Sequence, residues 1–383
     1  MRRDICNIDD LRSLARKKVP RVFFDYADGG SWTESTLRAN RSDLEAITFW
    51  PRVVRDLRSR SLATTLAGQA ASMPVAIGPT GAAGMQHADG EILAALAAEA
   101  AGVPYGLSVV SICSMEDIAR HTNTPFWFQV HFMQDMGFVD RLIDRAQAVR
   151  CSALIVTLDL QVHGQRNADI RNNRTAAMFA LARLPQFIAR PAWSLRMLGT
   201  KRHNFGNIVG HVDGIGNLAE ITNWAAAQFP PVIQWDDLRR IRDRWKGRLV
   251  VKGVTHPDDA RSAVAAGADA LVVSNHGGRQ MDGAISTIRA LPHVVAAVPG
   301  TEVLMDGGIR SGQDVLRAMA HGAKGVLIGR AHLYGLGAGG REGVEKCLQI
   351  IRKELDLTMA MCGLRDVHDV SPDILAPRAE PRG

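Results

Sequence analysis

Aromatic side chains are scarce, 5% of 383 residues, whereas glycine is abundant at 36, so the backbone is suited to many tight turns. Cysteine is equally sparse. Cys6, Cys113, Cys151, Cys347 and Cys362 are scattered, odd in number and form no C-x-x-C. That supports neither a disulfide framework nor a zinc site, and no metal centre is expected; a reducing, cytoplasmic setting fits. Long apolar runs are missing as well. The longest stretch without Asp, Glu, Lys or Arg is Ser61 to Ala88, 28 residues, and Pro74, Pro79 and four glycines interrupt it. No membrane-spanning helix is expected, nor a secretory leader, because Met1-Arg2-Arg3-Asp4 runs into mixed polar sequence. With 46% apolar and 22% charged residues the chain is neither disordered nor fibrous, and it is long enough to bury a large core.

What is present is a recurring short apolar run that ends in polar or glycine residues. Eight occur: Pro74–Gly78, Val103–Leu107, Phe126–Val130, Ala153–Leu158, Arg248–Val251, Ala270–Val273, Glu302–Met305 and Gly325–Ile328. Their length and β-branched content read as buried strands. Helix-patterned segments lie between most of them: Asp89–Ala101, Ser114–His121, Asp135–Val149, Pro257–Ala266 and Ser311–Ala320, the last with Ser311 as N-cap. Strands alternating with helices predict an α/β fold with a parallel sheet, and eight of them predict a closed (β/α)8 TIM barrel over about residues 73–370. The whole chain, 1–383, is expected to form one domain. Residues 1–72 would be helices closing the barrel base, Trp235–Trp245 the crossover to strand five, 171–231 an insertion after strand four, and 371–383 an irregular tail.

In such barrels the active site lies at the carboxyl ends of the strands. Those ends read Thr80-Gly81, Ser108, Gln129, Thr157 with Asp159, Lys252, Ser274-Asn275-His276, Asp306-Gly307-Gly308 and Gly329-Arg330. The strongest local signal is Asp306-Gly307-Gly308-Ile309-Arg310-Ser311-Gly312 together with Gly329-Arg330. Glycines admit backbone N–H groups to an anion, a helix N-terminus adds partial positive charge, and two arginines fork onto phosphate oxygens. The competing reading is that these glycines only make tight turns. No strand-leading G-x-G-x-x-G is present for a dinucleotide. In Ser274-Asn275-His276-Gly277-Gly278-Arg279, a histidine suited to act as a base stands three residues from an arginine suited to a carboxylate. Asp159 is placed to orient that histidine. Lys252 reads as a buried cation facing an electron-rich ligand, or as half of a structural ion pair.

These residues, with Val251-Lys252-Gly253 and Phe24-Asp25-Tyr26-Ala27-Asp28-Gly29-Gly30, resemble the FMN-dependent α-hydroxy acid dehydrogenase/oxidase family from about residue 7 to 370. The form of Asp28-Gly29-Gly30 and the stretch Arg202–Ile208 look most like its membrane-associated lactate dehydrogenase branch. The resemblance implies oxidation of an L-2-hydroxy acid to a 2-oxo acid with electrons passing to FMN. It implies His276 as the base with Asp159 as its partner, and Arg279 and Tyr26 on the substrate carboxylate with Arg166 at the pocket edge. Lys252 would face the flavin, with Pro79, Thr80, Gly81, Ser108, Gln129, Thr157 and Ser274 along its ring and ribityl chain. Asp306, Gly307, Gly308, Ile309, Arg310, Gly329 and Arg330 would hold ribityl chain and phosphate. A homotetramer and a quinone or oxygen acceptor follow from the same resemblance.

One departure stands out: where the family usually has Tyr, the run Phe128-Gln129-Val130-His131-Phe132 has His131, which puts the substrate in question and leaves a larger 2-hydroxy acid as an alternative to lactate. A barrel that only binds ligands is disfavoured, because no binding role needs a base beside a carboxylate clamp. Gly81 stands where oxidases often have Ala, hinting at room near the flavin and a non-oxygen acceptor.

Charge is uneven. Lys and Arg number 46 against 39 acids, net +7, and Arg171–Arg202 alone holds seven basic residues and no acid. Large apolar residues interleave with them. The expectations are a docking lobe for an anionic membrane surface or an active-site lid; nucleic acid is not an expected partner.

Overall fold

The computed structural model describes residues 4–172, 184–212, 214, 224, 228 and 232–377. Eight short strands follow one another in chain order around a parallel sheet: Val75–Ile77, Gly106–Ser108, Trp127–His131, Ala153–Thr157, Arg248–Val254, Ala270–Val273, Glu302–Met305 and Gly325–Ile328. The eighth pairs with the first, Leu327 opposite Ala76, and a parallel bridge between Ile77 and Tyr105 joins the first to the second, which closes the barrel. All eight expected strands are present. The second begins later than the apolar run predicts because Pro104 has no N–H for the ladder; its carbonyl instead accepts from Ile77 N at 2.9 Å. The fifth runs on to Val254 through a register shift at Gly253, beside the site described below.

The helices form where caps and periodicity placed them. Ser114, Asp135 and Ser311 each accept a backbone N–H at the start of Met115–His121, Met136–Ala148 and Gly312–Ala320. Trp235–Arg244 is the crossover to the fifth strand. The base of the barrel corrects the sequence reading. It is closed not by helices but by an antiparallel hairpin, Thr64–Leu66 with Gln69–Ala71. Leu66, fully buried, joins Trp127, Ile155, Val250, Val272 and Leu304 in the barrel interior. Ala67 N donates to Glu302 Oε1 at 2.7 Å and Gln69 Nε2 to Pro125 O at 3.0 Å, both at strand starts. The N-terminal helices Ile8–Lys18, Arg21–Asp28 and Ser35–Glu45 instead pack along the outside, and Arg21–Asp28 brings Tyr26 to the opposite, carboxyl-end rim.

Parts of the insertion at 171–231, chiefly 173–183 and most of 213–231, lie outside the described residues. Its described part includes the helix Pro191–Gly199, whose Trp193 is buried and stacks on Phe23 at 5.2 Å and on Phe187 at 5.7 Å. Leu195, Leu198 and Ile188 are exposed. Of the basic residues counted above, Arg174 and Arg183 lie outside the described residues, and Arg202 is committed to Asp89 and Asp117 at 2.9 and 3.0 Å. The tail through residue 377 makes a short turn at Pro372–Ile374 and bridges Leu375 to Phe49; 378–383 lie outside the described residues. No described helix is long and apolar enough to cross a membrane.

Candidate active site

A cavity of about 250 Å³ opens at the carboxyl ends of the strands. Of the site residues expected from sequence, all line it except Asp159 and Ser274, which stand one layer behind. The loop after the sixth strand explains how His276 is presented. His276, Gly277 and Gly278 follow one another at φ +56°, +64° and +72°. A histidine tolerates this region better than a bulky or β-branched residue does. The turn is fastened by paired amides, Asn275 Nδ2 to Asn40 Oδ1 and Asn40 Nδ2 to Asn275 Oδ1, both 2.8 Å, and by His276 N donating to Ser274 Oγ at 3.1 Å.

His276 Nδ1 donates to Asp159 Oδ1 at 2.9 Å, leaving Nε2 as the ring nitrogen available to a substrate. Burial, the largest influence on Asp159, pulls its carboxyl up, but His276, Lys252 and His131 together hold it below the ordinary range. Asp159 fits this close to the fifth strand only because residue 253 is glycine: a Cβ there would stand 2.8 Å from Asp159 Cγ, at φ +101°. Lys252, 5% exposed, reaches Asp306 Oδ2 at 3.1 Å and donates to Ser274 Oγ at 2.8 Å. Burial favours its neutral form, yet Asp306 and Asp159 raise its pKa above the usual lysine value. It is therefore a buried ammonium at neutral pH.

Arg279 lies over the Tyr26 ring with its guanidinium carbon 4.7 Å from the centroid, and its Nη1 donates to Tyr26 O at 2.6 Å. Burial, with Arg166 nearby, lowers its pKa to about 9. A cation so deeply buried, with no carboxylate in contact among the described residues, favours an incoming anion. Arg166 stands over the same ring at 5.7 Å and is held by Asp169 at 2.8 Å.

Along one wall runs a polar ladder: Ser108 Oγ donates to Gln129 Oε1, and Gln129 Nε2 donates to Thr157 Oγ1, each at 3.0 Å. The same Nε2 lies 2.9 Å from His131 Nδ1. An amide donor there makes Nδ1 the acceptor, so the neutral ring carries its proton on Nε2. Burial, joined by His276, pushes His131 down to about 3. His131 is thus a fixed N–H donor across the physiological range.

The expected phosphate cradle divides into two parts. Gly308–Arg310 and the N-terminus of the long helix Arg330–Met361 line the cavity, and Arg310 sits over Tyr334 at 5.6 Å. Gly308 also has a packing reason, since a Cβ at its φ of +88° would run into the Asn40 carbonyl. Arg330, by contrast, turns three donors onto backbone carbonyls, Nε to Ala27 at 3.0 Å, Nη1 to Gly277 at 2.8 Å and Nη2 to Gly29 at 2.7 Å. Gly81 does not leave open room: a Cβ there would stand 2.8 Å from Val110 Cγ2, so Val110 occupies that space.

Sequence reasoning missed His163, Phe132, Met133, Ile208 and Trp224 at the cavity wall. Phe132 and Met133 directly follow His131 and were within reach of a strand-end argument. His163 and Ile208 lie on loops that offered no periodic signal, and Trp224, which is helical, belongs to a stretch mostly outside the described residues.

The donor set suits FMN: a buried ammonium, a polar ladder for a ring edge, a helix N-terminus for a phosphate, and Asp306 Oδ1, buried with no partner among the described residues. No group of metal-ligating side chains occurs among the described residues.

Residues 15–377 match the family described as FMN-dependent dehydrogenase. The chain is 44% identical over 382 residues to L-lactate dehydrogenase of Caulobacter vibrioides, covering 99% of this chain and 100% of that one. It is 42% identical to that of Ectopseudomonas mendocina, covering 96% and 97%. Among solved structures it resembles the monotopic membrane protein (S)-mandelate dehydrogenase, with TM-score 0.93, 34% identity and coverage of 98% and 100%. It also resembles mandelate oxidase, with TM-score 0.83, 35% identity and coverage of 97% and 98%. Barrel, cavity chemistry and full-length similarity agree, and the chain belongs to the FMN-dependent dehydrogenase family of α-hydroxy acid-oxidising enzymes.

Proposed function

We propose that this enzyme oxidises a lactate-like L-2-hydroxy acid to the 2-oxo acid with His276 as the base. The observation carrying this is one pocket that holds the His276–Asp159 pair at 2.9 Å beside Arg279 stacked on Tyr26. Arg279 and the Tyr26 hydroxyl bind the substrate carboxylate, with Arg166 at the edge. His276 Nε2 takes a substrate proton, and Asp159 holds the ring tautomer and stabilises the imidazolium that results. FMN, when bound, would take up the two electrons with the second hydrogen. Lys252 would line its electron-rich edge, the ladder of Ser108, Gln129 and Thr157 would face the ring, Pro79, Thr80, Gly81 and Ser274 would frame it, and Asp306–Arg310 with Gly329 would hold the ribityl phosphate. His131 donates from Nε2 where the family usually offers a tyrosine hydroxyl.

A larger 2-hydroxy acid is the second reading, favoured by the apolar wall of Phe132, Met133, Leu160, Ile208 and Trp224. Stopped-flow reduction of the yellow protein by a panel of L-2-hydroxy acids decides between them. Fastest reduction by L-lactate supports the first reading, and fastest reduction by an acid with a bulky side chain supports the second. No reduction by any member removes both.

Arg279→Lys tests the clamp. A point ammonium does not reproduce a planar fork, so KM for the acid should rise about tenfold or more while the limiting rate changes less. An unchanged KM would place the carboxylate elsewhere.

The same reading takes in a cytoplasmic, homotetrameric single-domain protein that docks on the inner membrane face and passes electrons to a quinone or oxygen. Ile188, Leu195 and Leu198, exposed beside Arg190, Arg196 and Lys201, supply an apolar and basic surface, while Trp193 and Phe187 on the other side pack on Phe23 as a lid would. Both roles therefore fit one segment. Co-sedimentation with anionic but not neutral vesicles, weakened by salt, is expected; equal soluble recovery with both would leave only the lid.

A further inference from the structure

We propose that Arg330 is a positioning residue, a buried strut that fixes the carboxylate-binding segment around Tyr26 against the loop that carries His276. The inference rests on the proposed roles of those two residues. Arg330 is 8% exposed, and its guanidinium spans two separate parts of the chain. Nε and Nη2 hold the carbonyls of Ala27 and Gly29, at the carboxyl end of the helix Arg21–Asp28; Nη1 holds the carbonyl of Gly277, the residue after His276. Those helix-end carbonyls have no partner inside their helix and carry the negative end of its dipole, so a cation is well placed there.

A second guanidinium works on the same segment. Arg279 Nη1 donates to the carbonyls of Tyr26 at 2.6 Å and Gly29 at 3.1 Å. Tyr26 is thus held between the carboxylate-binding arginine and the strut. The carboxylate that would be the natural partner of Arg330 is engaged elsewhere: Asp28 takes a two-pronged bond from Arg12, 2.7 Å each, and another from the Tyr334 hydroxyl at 2.6 Å. No carboxylate forms an ion pair with Arg330 among the described residues. Burial accordingly lowers its pKa to about 10. A buried cation with no carboxylate in contact among the described residues is a poor stability device, even with Asp28 and Glu34 acting on it from a distance. Three short bonds between the clamp side and the base side of the pocket give it a geometric use instead.

The test uses the holoenzyme and Arg330→Lys, which keeps the charge but loses the fork. FMN retention is read by absorbance after gel filtration and by titrating the apoprotein. Binding of propionate, a carboxylate that cannot be oxidised, is read from perturbation of the flavin spectrum. Limiting flavin reduction is read by stopped flow. For a strut, FMN affinity stays within a few-fold of wild type, propionate binds more weakly, and the limiting rate falls about 10–100-fold, as misplacement by an ångström or so does. Combined with Tyr26→Phe the losses should be less than additive, because both act on one geometry; a general loss of stability would add. Should Arg330→Lys fail to fold, Arg330→Gln, which keeps part of the stem and one amide donor, is read in the same way. If FMN affinity falls tenfold or more while the loaded enzyme reduces normally, Arg330 is a phosphate ligand and the proposal is overturned. Wild-type behaviour in every readout also overturns it. A wild-type enzyme that no 2-hydroxy acid reduces condemns the functional reading instead.

Discussion

In His276→Ala, flavin reduction by substrate should fall by about 10²–10⁴-fold while FMN remains bound. The distinction between chemistry and binding follows from where the side chain sits. His276 lines the cavity next to Arg279 on the loop after the sixth strand, whereas the Gly308–Arg310 turn and the N-terminus of Arg330–Met361 belong to the seventh and eighth strands. The loop does not depend on the imidazole for its shape, because Asn275, Asn40 and Ser274 fasten it through backbone and amide contacts. Removing the ring leaves Asp159 buried without the donor on its Oδ1, with Lys252 still near, so a modest loss of stability accompanies the kinetic one. Stopped-flow reduction with absorbance-monitored FMN content separates the two. Near-normal reduction rates in the variant would take His276 out of the mechanism. Asp159→Asn should lie between wild type and His276→Ala, since the amide still accepts from Nδ1 but no longer stabilises the charged ring.

The barrel was legible because its signal is local. Each of the eight strands is a short apolar run ended by a polar residue or glycine, and three of the named helices start at Ser114, Asp135 and Ser311, side chains that the structure shows accepting a backbone N–H. The base hairpin was not legible for the opposite reason. Its strands are three residues each, too short for alternation, and its Ala67-Gly68 turn, at φ +45° and +77°, lacks the usual Asn-Gly or Asp-Gly sequence. What defines it is long-range, Leu66 entering the barrel. Among the site residues, strand-end position placed Lys252, Gln129 and His131 at the cavity, but it gave no direction for a long side chain. Arg330 shows this: its place beside the phosphate-type turn was readable, whereas the three carbonyls it holds come from residues 27, 29 and 277. Loops after the fourth strand hid His163 and Ile208, because no period fixes their register.

Lys252→Met should lower stability by about 3–5 kcal/mol, the usual result of removing one partner from a buried ion pair. Methionine fills nearly the same volume, so the loss is electrostatic rather than a cavity effect. Its size follows from the surroundings: Lys252 is 5% exposed, its ammonium lies 3.1 Å from Asp306 Oδ2, and Asp159 adds to the negative field. Asp306 Oδ1 is already buried without a partner among the described residues, so Asp306 would lose the cation that faces it, whereas Asp159 keeps the bond from His276 Nδ1. The pH dependence carries the sign. The pKa of Lys252 in the folded protein is raised above its unfolded value near 10.5, so its contribution is fully present below that value and disappears as pH rises through the folded one. At neutral pH wild type therefore has the whole benefit and the variant none. Urea melts of the two proteins at pH 8 and above about pH 11 read this directly, with the larger difference expected at pH 8. An equal difference at both would mean that packing, not charge, accounts for the loss. The ammonium would then be a dispensable filler of the barrel floor, and its proposed place at the flavin edge would lose its electrostatic basis.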